Sequence, residues 1–232
     1  MQYLYETHCH ENQCSLCAVS TPAQMVQAYK AAGYAGLVLT DHFIFGNTAV
    51  PKDLPWEERM AAYENAWLEA RQEGERLDFD VLFGMEHHYG FGKELLFYGI
   101  DPEFLKRNPD IPDISVGELV ARVRAYGGIS IMAHPYRDRW YVDMSVEPNP
   151  AWLDGVEVYN ACNAPGEDDR AEALAKDHPE WILTSGGDIH KWDDPRIGRA
   201  GIFLPHRVKD SREFADALKA GIYRLNKGIA AE

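Results

Sequence analysis

Short apolar runs alternate with amphipathic segments along most of the chain. Each run consists mainly of β-branched, aliphatic or aromatic residues and is bounded by Gly, Pro, Asp or His. Runs of this length between turn-forming residues are typical of buried β-strands. The pattern predicts strands at Tyr3–Tyr5, Ala35–Leu39, Val81–Met85, Leu95–Ile100, Ile129–Ala133, Val156–Tyr159, Trp181–Leu183 and Ile202–Leu204.

Helix signals lie between these runs. A Thr-Pro pair supplies an N-cap and a first helical residue before Ala23–Ala32, and a glycine follows that segment. Ser115 and Glu118 have the spacing of a capping box, which predicts a helix that continues to about Tyr126. The remaining predicted helices are Pro55–Leu77, Glu167–Asp177 and Asp210–Ala220.

Alternation of strands and helices predicts an α/β fold of parallel strands with helices outside, either a closed barrel or an open doubly wound sheet. A nucleotide-binding open sheet needs a glycine-rich phosphate loop after a strand. The nearest candidate, Gly84–Gly92, carries the bulky His87, His88 and Tyr89, which favours the barrel. Because 232 residues are few for eight strand–helix units, we expect one domain over residues 1–232 with a distorted, TIM-barrel-like architecture.

The composition is that of an ordinary globular protein, with 46% hydrophobic and 26% charged residues. The formal net charge of −14 repels polyphosphate at long range, so we expect no binding of long duplex nucleic acid, although short oligonucleotides remain open. The sequence has neither a signal-peptide pattern nor a run of about 20 apolar residues, which predicts a cytoplasmic protein without a membrane partner. The oligomeric state is left open.

The four cysteines are too few for a disulfide scaffold in a chain of this size, and reduced thiols are expected. Cys14 and Cys17 form a CxxC pair that could bind zinc or take part in redox chemistry. A second CxxC and the strand–helix context of a thioredoxin site are lacking from the sequence, so a structural or surface role is favoured.

Polar side chains with metal-binding chemistry cluster where the predicted strands end. His8 and His10 follow the first strand at alternate positions, so both point to the same face of an extended chain. Asp188 and His190 repeat this spacing later in the sequence. Because the carboxyl ends of barrel strands meet at one rim, we expect one pocket to collect His8, His10, His42, Glu86, His134, Asp188 and His190.

The ligand types in this set restrict the metal. Five imidazoles and two carboxylates suit borderline ions such as Zn²⁺, Mn²⁺ or Fe²⁺ better than the all-oxygen sites of Mg²⁺ or Ca²⁺. Seven candidate ligands exceed the needs of one ion, and carboxylates can bridge neighbouring ions. The pattern therefore predicts two or three divalent ions whose usual role is to activate a water molecule.

The order of the motifs resembles the polymerase-and-histidinol-phosphatase (PHP) family of metal-dependent phosphoesterases. HxH, Thr-Asp-His, Gly-x-Glu, His-Pro, the segment from Glu157 to Asn160 and Asp-x-His follow one another over about residues 3–204. The resemblance implies a distorted seven-stranded α/β barrel with up to three metal ions at the C-terminal ends of the strands. It also implies hydrolysis of phosphate esters by a metal-bound hydroxide.

The resemblance also implies roles for individual residues. One ion would lie among His8, His10, Glu86 and Asp188, a second between Glu86 and His134, and a third between His42 and His190. The catalytic roles would fall to Glu86, Asp188 and His190.

Two positions depart from the family pattern. The family often has an Asp or His a few residues after HxH to serve the third ion, whereas this chain offers Cys14 or Cys17 as a substitute, or else binds that ion weakly. Near the start of the fourth strand, where the family often has a histidine, this chain has Glu94. Its carboxylate could bind the second ion or could simply begin the strand.

Further residues near these motifs have less specific interpretations. A phosphate substrate needs cations besides the metals, and Arg137 and Arg196 are the preferred candidates, with ion pairing to surface carboxylates as the alternative. Glu157 is interpreted as a packing or pairing partner of the site rather than a metal ligand. His87 and His88 are adjacent, so at most one of them is expected to point inward.

These observations together predict a metal-dependent phosphoesterase that acts on a small phosphomonoester, such as histidinol phosphate or a nucleotide. An amidohydrolase-like barrel is the enzymatic alternative, although it is expected to have a bridging lysine or carboxylate on a middle strand and a longer chain. The non-enzymatic alternative is a catalytically degenerate, metal-stabilised binding module.

Overall fold

The computed structural model describes residues 2–228, and its strands form two five-stranded sheets. The first sheet has the order β10–β9–β1–β2–β3, in which β1, β2 and β3 are parallel and β9 is antiparallel to both of its neighbours. Its strands are β1 (Tyr3–Cys9), β2 (Gly36–Leu39), β3 (Asp80–Phe83), β9 (Ile202–Leu204) and β10 (Arg224–Leu225).

The second sheet contains the middle of the chain in the order β4–β5–β6–β7–β8. Here β4, β5 and β6 are antiparallel, whereas β6, β7 and β8 are parallel. The strands are β4 (Met85–Gly90), β5 (Lys93–Tyr98), β6 (Ile129–Met132), β7 (Gly155–Asn160) and β8 (Ile182–Gly186).

The expectation of parallel strands throughout is wrong for β5, which is antiparallel to both β4 and β6, and for β9, which is antiparallel to both β1 and β10. The segment after Gly84, considered from sequence only as a poor candidate for a phosphate loop, forms β4, and the chain then turns back through Gly90, Phe91 and Gly92, all with positive φ. So short a connection permits only antiparallel pairing, because a parallel pair needs a long crossover. The hairpin places Glu94 opposite His88.

The two sheets approach one another at two seams. A parallel bridge joins Cys9 to Ile189 at one seam, and another joins His42 to Glu86 at the other. Among residues 2–228 no sheet closes on itself, so the architecture is a mixed α/β fold of the TIM-like kind, and the seven-stranded barrel stays a prediction. The seams matter because four candidate site segments meet there.

Six α-helices connect the strands within the described residues, and none is long and apolar enough to cross a membrane. The capping box at the first helix is present, whereas at Ser115 only half of the predicted box forms because the side chain of Glu118 pairs with Arg122. The helices are α1 (Pro22–Ala31), α2 (Trp56–Leu77), α3 (Pro102–Lys106), α4 (Val116–Tyr126), α5 (Glu167–Lys176) and α6 (Ser211–Lys219), with 3₁₀ turns at Ile111–Asp113 and Pro150–Trp152.

The interior between the sheets is filled by side chains. Tyr5, Val38 and Leu82 from the first sheet pack with Leu96 and Ile131 from the second in one buried cluster. Because this core occupies the space between the strands, a site can form only at the strand ends, as in α/β barrels.

Candidate metal centre

The first two site histidines are positioned by β1 and its contact with the segment after β8. His8 and His10 are fully buried, and their ring centroids lie 5.2 Å apart on the same side of the strand. The backbone N–H of His10 donates to the carbonyl of Ile189 at 2.9 Å, and the N–H of Asp188 donates to the carbonyl of His8 at 2.7 Å. These bonds bring the HxH and Asp-x-His motifs together.

Glu86 occupies the middle of the site. Its Oε1 lies 3.1 Å from His8 Nε2 and 3.2 Å from His134 Nε2. Its Oε2 lies 2.8 Å from His42 Nδ1 and 3.6 Å from His10 Nε2. Since each oxygen faces a different pair of imidazoles, this carboxylate has the placement of a bridging ligand.

Asp188 and His134 reach the site from strained backbone conformations. Asp188 has φ +55° and His134 has φ +27°, in the region that residues with side chains rarely adopt. Such strain persists only where the surroundings enforce it, and it is common at functional sites. The strained backbone brings Asp188 Oδ1 to 3.2 Å from His10 Nε2 and 3.6 Å from His8 Nε2.

The other two predicted ligands complete the ring of donors. Glu94 Oε1 lies 3.5 Å from His42 Nδ1, and its Oε2 lies 3.6 Å from His134 Nε2. His190 is the more accessible site histidine, with a side chain that is 27% exposed, and its Nδ1 contacts the carbonyl of Asp188 at 2.9 Å. The structure therefore places every predicted metal ligand in one site.

The chemistry of the donor set fits divalent metal ions. Several buried atoms that face the site make no well-aligned hydrogen bond within residues 2–228, although oppositely charged groups lie 2.8–3.2 Å away, namely His8 Nε2, His10 Nε2, His42 Nδ1 and Glu86 Oε2. Unpaired buried polar atoms are costly unless a ligand satisfies them. Donor atoms within 4.8 Å of one another form the sets His8–His10–Asp188, His8–Glu86–His134, His42–Glu86–Glu94 and His10–His42–His190.

Opposite charges hold the carboxylates of the site in their ionised form. Burial alone would raise the pKa of Asp188, but the charges of Arg137 and His8 lower it well below its ordinary value. Burial likewise opposes ionisation of Glu86, whose pKa is lowered by His8 and His42. The pKa of His10 is lowered by burial and by its histidine neighbours. Although burial lowers it, the pKa of His8 and of His42 is raised well above the ordinary value by the same carboxylates, so metal binding, which needs neutral imidazoles, would displace protons from these two rings.

A second layer of hydrogen bonds orients the site histidines. Glu157 Oε1 contacts His8 Nδ1 at 3.1 Å, while its Oε2 accepts the N–H of His134 at 3.0 Å and the amide of Asn160 at 2.8 Å. This leaves His8 Nε2 directed at the site, which is the usual arrangement behind a metal-bound histidine. The placement agrees with the interpretation of Glu157 as a pairing partner.

The sequence did not predict that Ser15 supports His10. Its hydroxyl donates to Asp41 Oδ1 at 2.8 Å and lies 3.3 Å from His10 Nδ1. A serine five residues after a histidine in a loop has no recognisable pattern. The contact depends on tertiary structure alone.

The two candidate phosphate-binding arginines lie in different surroundings. Arg137 is buried, donates to Asp188 Oδ2, to Asn160 Oδ1 at 2.8 Å and to Asn163 Oδ1 at 3.0 Å, and lines the site cavity. Arg196 pairs with both oxygens of Asp194 at 2.8 and 2.6 Å. Arg196 does not line that cavity, and its role in binding substrate stays a prediction.

A cavity of about 510 Å³ opens over the metal ligands. Trp140 and Tyr141 lie at its rim with 96% and 51% of their surfaces exposed, and their ring centroids are 5.6 Å apart. The two cysteines of the CxxC pair differ here, because Cys17 lines the cavity while Cys14 is buried with its Sγ 3.8 Å from the carbonyl of Ala62. The cavity has the size of a small-molecule site.

His87 and His88 lie outside this cavity and line a second one. His87 is 3% exposed, and burial lowers its pKa to about 4. His88 is half-buried. One of the pair therefore points inward, although into the protein rather than toward the metal ligands.

No protein-family model and no curated protein matches this sequence. The fold does match solved structures. A two-domain protein from Bacteroides vulgatus that contains a predicted PHP-like metal-dependent phosphoesterase has a TM-score of 0.69 and 15% identity, over 98% of this chain and 65% of the other. A protein from Bifidobacterium adolescentis, assigned as a metal-dependent phosphoesterase, has a TM-score of 0.56 and 16% identity over 94% of both chains.

Three further matches carry other activities in their names. The lesion-specific endonuclease Q of Pyrococcus furiosus has a TM-score of 0.65 and 12% identity over 97% of this chain and 58% of the other, and an endonuclease Q complex contains a 27-mer duplex substrate. An amidohydrolase from Chromobacterium violaceum has a TM-score of 0.60 and 15% identity over 97% and 98%. At such identities the likeness shows the fold alone, and at that level the resemblance to the PHP family is confirmed.

Proposed function

We propose that this protein is a metal-dependent phosphoesterase of the PHP family. The observation that carries the proposal is the convergence of five imidazoles and three carboxylates, with unpaired buried nitrogen atoms, at one end of a fold that PHP-like phosphoesterases share. When bound, divalent ions at such a site activate water and stabilise the negative charge of a phosphate ester.

The residues divide into three overlapping ligand groups in this proposal. Glu86 contacts all three groups, because its Oε1 faces His8 and His134 while its Oε2 faces His10 and His42. The first group is His8, His10, Glu86 and Asp188; the second is Glu86, Glu94 and His134; the third contains His42 and His190.

Arg137 orients Asp188, which is one of the proposed ligands. Arg137 holds Asp188 Oδ2, which leaves Oδ1 directed toward His8 and His10. A guanidinium has five N–H donors, so Arg137 retains capacity for a phosphate oxygen in the cavity that it lines. His190, the more exposed histidine of the site, lines the cavity and is assigned the contact with the leaving group in this proposal.

The cavity supports a small phosphomonoester, with a nucleotide-like compound as a member of that class. Its volume of about 510 Å³ suits a molecule of that size, and the exposed rings of Trp140 and Tyr141 offer surfaces on which a flat group can stack. A net charge of −14 disfavours long duplex DNA, the substrate type present in the endonuclease Q complex.

The amidohydrolase alternative receives less support from the site. A bridging lysine would have to lie among the metal ligands, yet the nearby Lys93 donates to the carbonyl of Pro135 at 2.8 Å. Glu86 has the placement of a bridging carboxylate, which both classes can use, so the substrate panel described next decides between them.

The test combines metal analysis with a substrate panel. Protein purified without chelator is analysed for bound metal and assayed with Mn²⁺, Zn²⁺ or Fe²⁺ on p-nitrophenyl phosphate, its diester, histidinol phosphate, nucleotides, an abasic duplex and a set of amides. We expect two or more equivalents of metal and metal-dependent phosphate release from a monoester, which His134→Ala abolishes. Hydrolysis of amides alone, or metal-loaded protein inert on the whole panel, would contradict the proposal.

A further inference from the structure

Glu6 is a buried residue of β1 that lies outside the proposed ligand set, and its side chain is 1% exposed. One of its carboxylate oxygens, Oε1, accepts three backbone N–H groups, from Thr7 at 2.8 Å, from His8 at 2.9 Å and from Gly187 at 2.7 Å. The first two donors follow Glu6 directly along β1, whereas the third belongs to the segment after β8. One carboxylate oxygen therefore joins two segments that are distant in sequence.

On the β1 side, these hydrogen bonds lie within an irregularity of the strand. Glu6 pairs with Leu37 of β2 and Cys9 pairs with Leu39, so three residue steps along β1 match two along β2. An extra residue of this kind interrupts the ladder of hydrogen bonds and redirects the neighbouring side chains. The N–H of His8 lies inside this bulge and donates to Glu6. Glu6 thus supports the local backbone shape that sets the direction of the His8 ring.

On the other side, the donor belongs to the turn that carries a proposed metal ligand. Gly187 precedes Asp188, whose φ of +55° is strained. A Cβ at position 187 would lie 2.7 Å from Glu6 Oε2, which is closer than van der Waals contact permits, so this approach needs glycine. The N–H of Asp188 donates in turn to the carbonyl of His8. Glu6 therefore supplies, from a side chain, one of the bonds that hold this turn against β1.

We propose that Glu6 is a positioning residue of the metal centre, whose three hydrogen bonds fix the bulge at His8 and the turn at Asp188 relative to one another. It provides no ligand atom itself, and its effect reaches the ion through two members of the first ligand group. All three donors are buried, so loss of the carboxylate would leave N–H groups unpaired, a costly arrangement that the surrounding backbone relieves by moving. The inference rests on the metal centre in the proposed function and adds a residue outside its ligand set.

The test compares Co²⁺ binding by the chelated wild type, Glu6→Ala, Glu6→Gln and Tyr5→Phe, with the visible absorption of the ion as a measure of its affinity and coordination geometry. Tyr5→Phe is the matched control, because the Tyr5 hydroxyl also forms buried hydrogen bonds from β1, to Asp80 and to the N–H of Val208. We expect Glu6→Ala to bind Co²⁺ about tenfold or more weakly with an altered spectrum. Glu6→Gln keeps an acceptor oxygen and should restore both properties. Tyr5→Phe should lower Tm, as Glu6→Ala does, but leave Co²⁺ binding unchanged.

Two results separate this inference from the proposed function. Unchanged Co²⁺ affinity and spectrum in folded Glu6→Ala, or equal changes in Tyr5→Phe, would overturn the positioning role and leave the metal centre intact. Failure of the wild type to bind any Co²⁺ would instead overturn the metal centre. Should Glu6→Ala fail to fold, as judged by circular dichroism, amide hydrogen exchange in the chelated wild type supplies the test. We expect a strongly protected Gly187 N–H, and exchange as fast as in an exposed loop would contradict its bond to Glu6.

Discussion

Glu157 lies outside the proposed ligand set but contacts two of its members, His8 and His134. One of its oxygens faces the ring of His8, and the other accepts hydrogen bonds from the His134 N–H and the Asn160 amide. It is fully buried, so water cannot replace these bonds. The orientation of two metal ligands therefore depends on one carboxylate.

Glu157→Gln is expected to weaken metal binding about 10- to 100-fold, the usual cost of losing a partner behind a metal-bound histidine. The new NH₂ group would face the donors of His134 and Asn160. Metal affinity is measured by competition with a chromophoric chelator, and circular dichroism checks the fold. Glu180→Gln, at an exposed position, serves as the control. An unchanged metal affinity in Glu157→Gln would show that Glu157 does not support the metal ligands.

Arg137 and Arg196 were equivalent candidates from sequence, and their surroundings now distinguish them. Arg137→Lys should raise KM for the best phosphomonoester about 10- to 100-fold, because hydrogen bonds between charged groups are worth about 1.5–3 kcal/mol. Arg196→Lys should change KM little, since its guanidinium pairs with Asp194 outside the cavity. The KM of each variant is measured by steady-state kinetics at saturating metal. A larger increase in KM for Arg196→Lys than for Arg137→Lys would instead indicate that Arg196 binds the phosphate.

At the scale of elements, the loop after His134 is attached to the start of α5 by Glu167. Its carboxylate accepts the N–H of Asp138 at 2.9 Å and the N–H of Ala164 at 2.8 Å, and pairs with Arg139 at 2.8 Å. The same loop carries Arg137 and Trp140 to the cavity. The anchoring of one helix end thus positions two residues of the proposed substrate site.

This anchor should make stability depend on acid pH. Burial alone would raise the pKa of Glu167, but its hydrogen bonds and Arg139 lower it below the ordinary value of 4.5. A lowered folded-state pKa means that the stabilisation is fully present above pH 4.5 and is lost as the pH falls through the folded pKa. Glu167→Gln should therefore cost about 1 kcal/mol at neutral pH and progressively less in acid.

The measurement is urea denaturation of the chelated protein at a series of pH values. The exposed Glu57→Gln, in the first turn of α2, is the control and should show no comparable pH-dependent difference. A difference between wild type and Glu167→Gln that stays constant down to acid pH would show that the lowered pKa does not contribute.

At the scale of the whole molecule, the proposed metal centre lies where the two sheets meet. Its candidate ligands come from the ends of β1 and β8, from the segment after β2, and from β4, β5 and the end of β6. Without ions, the sheets meet at the two seams only through isolated bridges and the shared core. Bound ions would therefore act as crosslinks between sheets.

Removal of metal should lower the thermal stability of the protein. A ligand that binds only the folded state adds about 3 to 4 kcal/mol at free concentrations of 100 to 1000 times its Kd. We expect a lower Tm after treatment with chelator, restored when metal is added back, as followed by circular dichroism. Asp188→Ala, which lacks one ligand, should respond less to both treatments. A Tm that is indifferent to chelator in the wild type would argue against structural coupling of the centre.

Periodicity and spacing in the sequence determined most of the elements and the composition of the site. The alternate spacing of His8 and His10 places both on one face because the side-chain period of a strand is two, and the predicted metal ligands lie together in the candidate centre. These features depend on local geometry, which a linear pattern records.

Only the tertiary structure decided which partners those residues contact. The strand direction of β4, the separation of Cys17 from Cys14, the support of His10 by Ser15 and the different partners of Arg137 and Arg196 all depend on contacts between distant segments. Such contacts arise from packing around a common core, where one hairpin turn or one backbone bond redirects a side chain. The pattern of residues along the chain therefore does not predict these contacts.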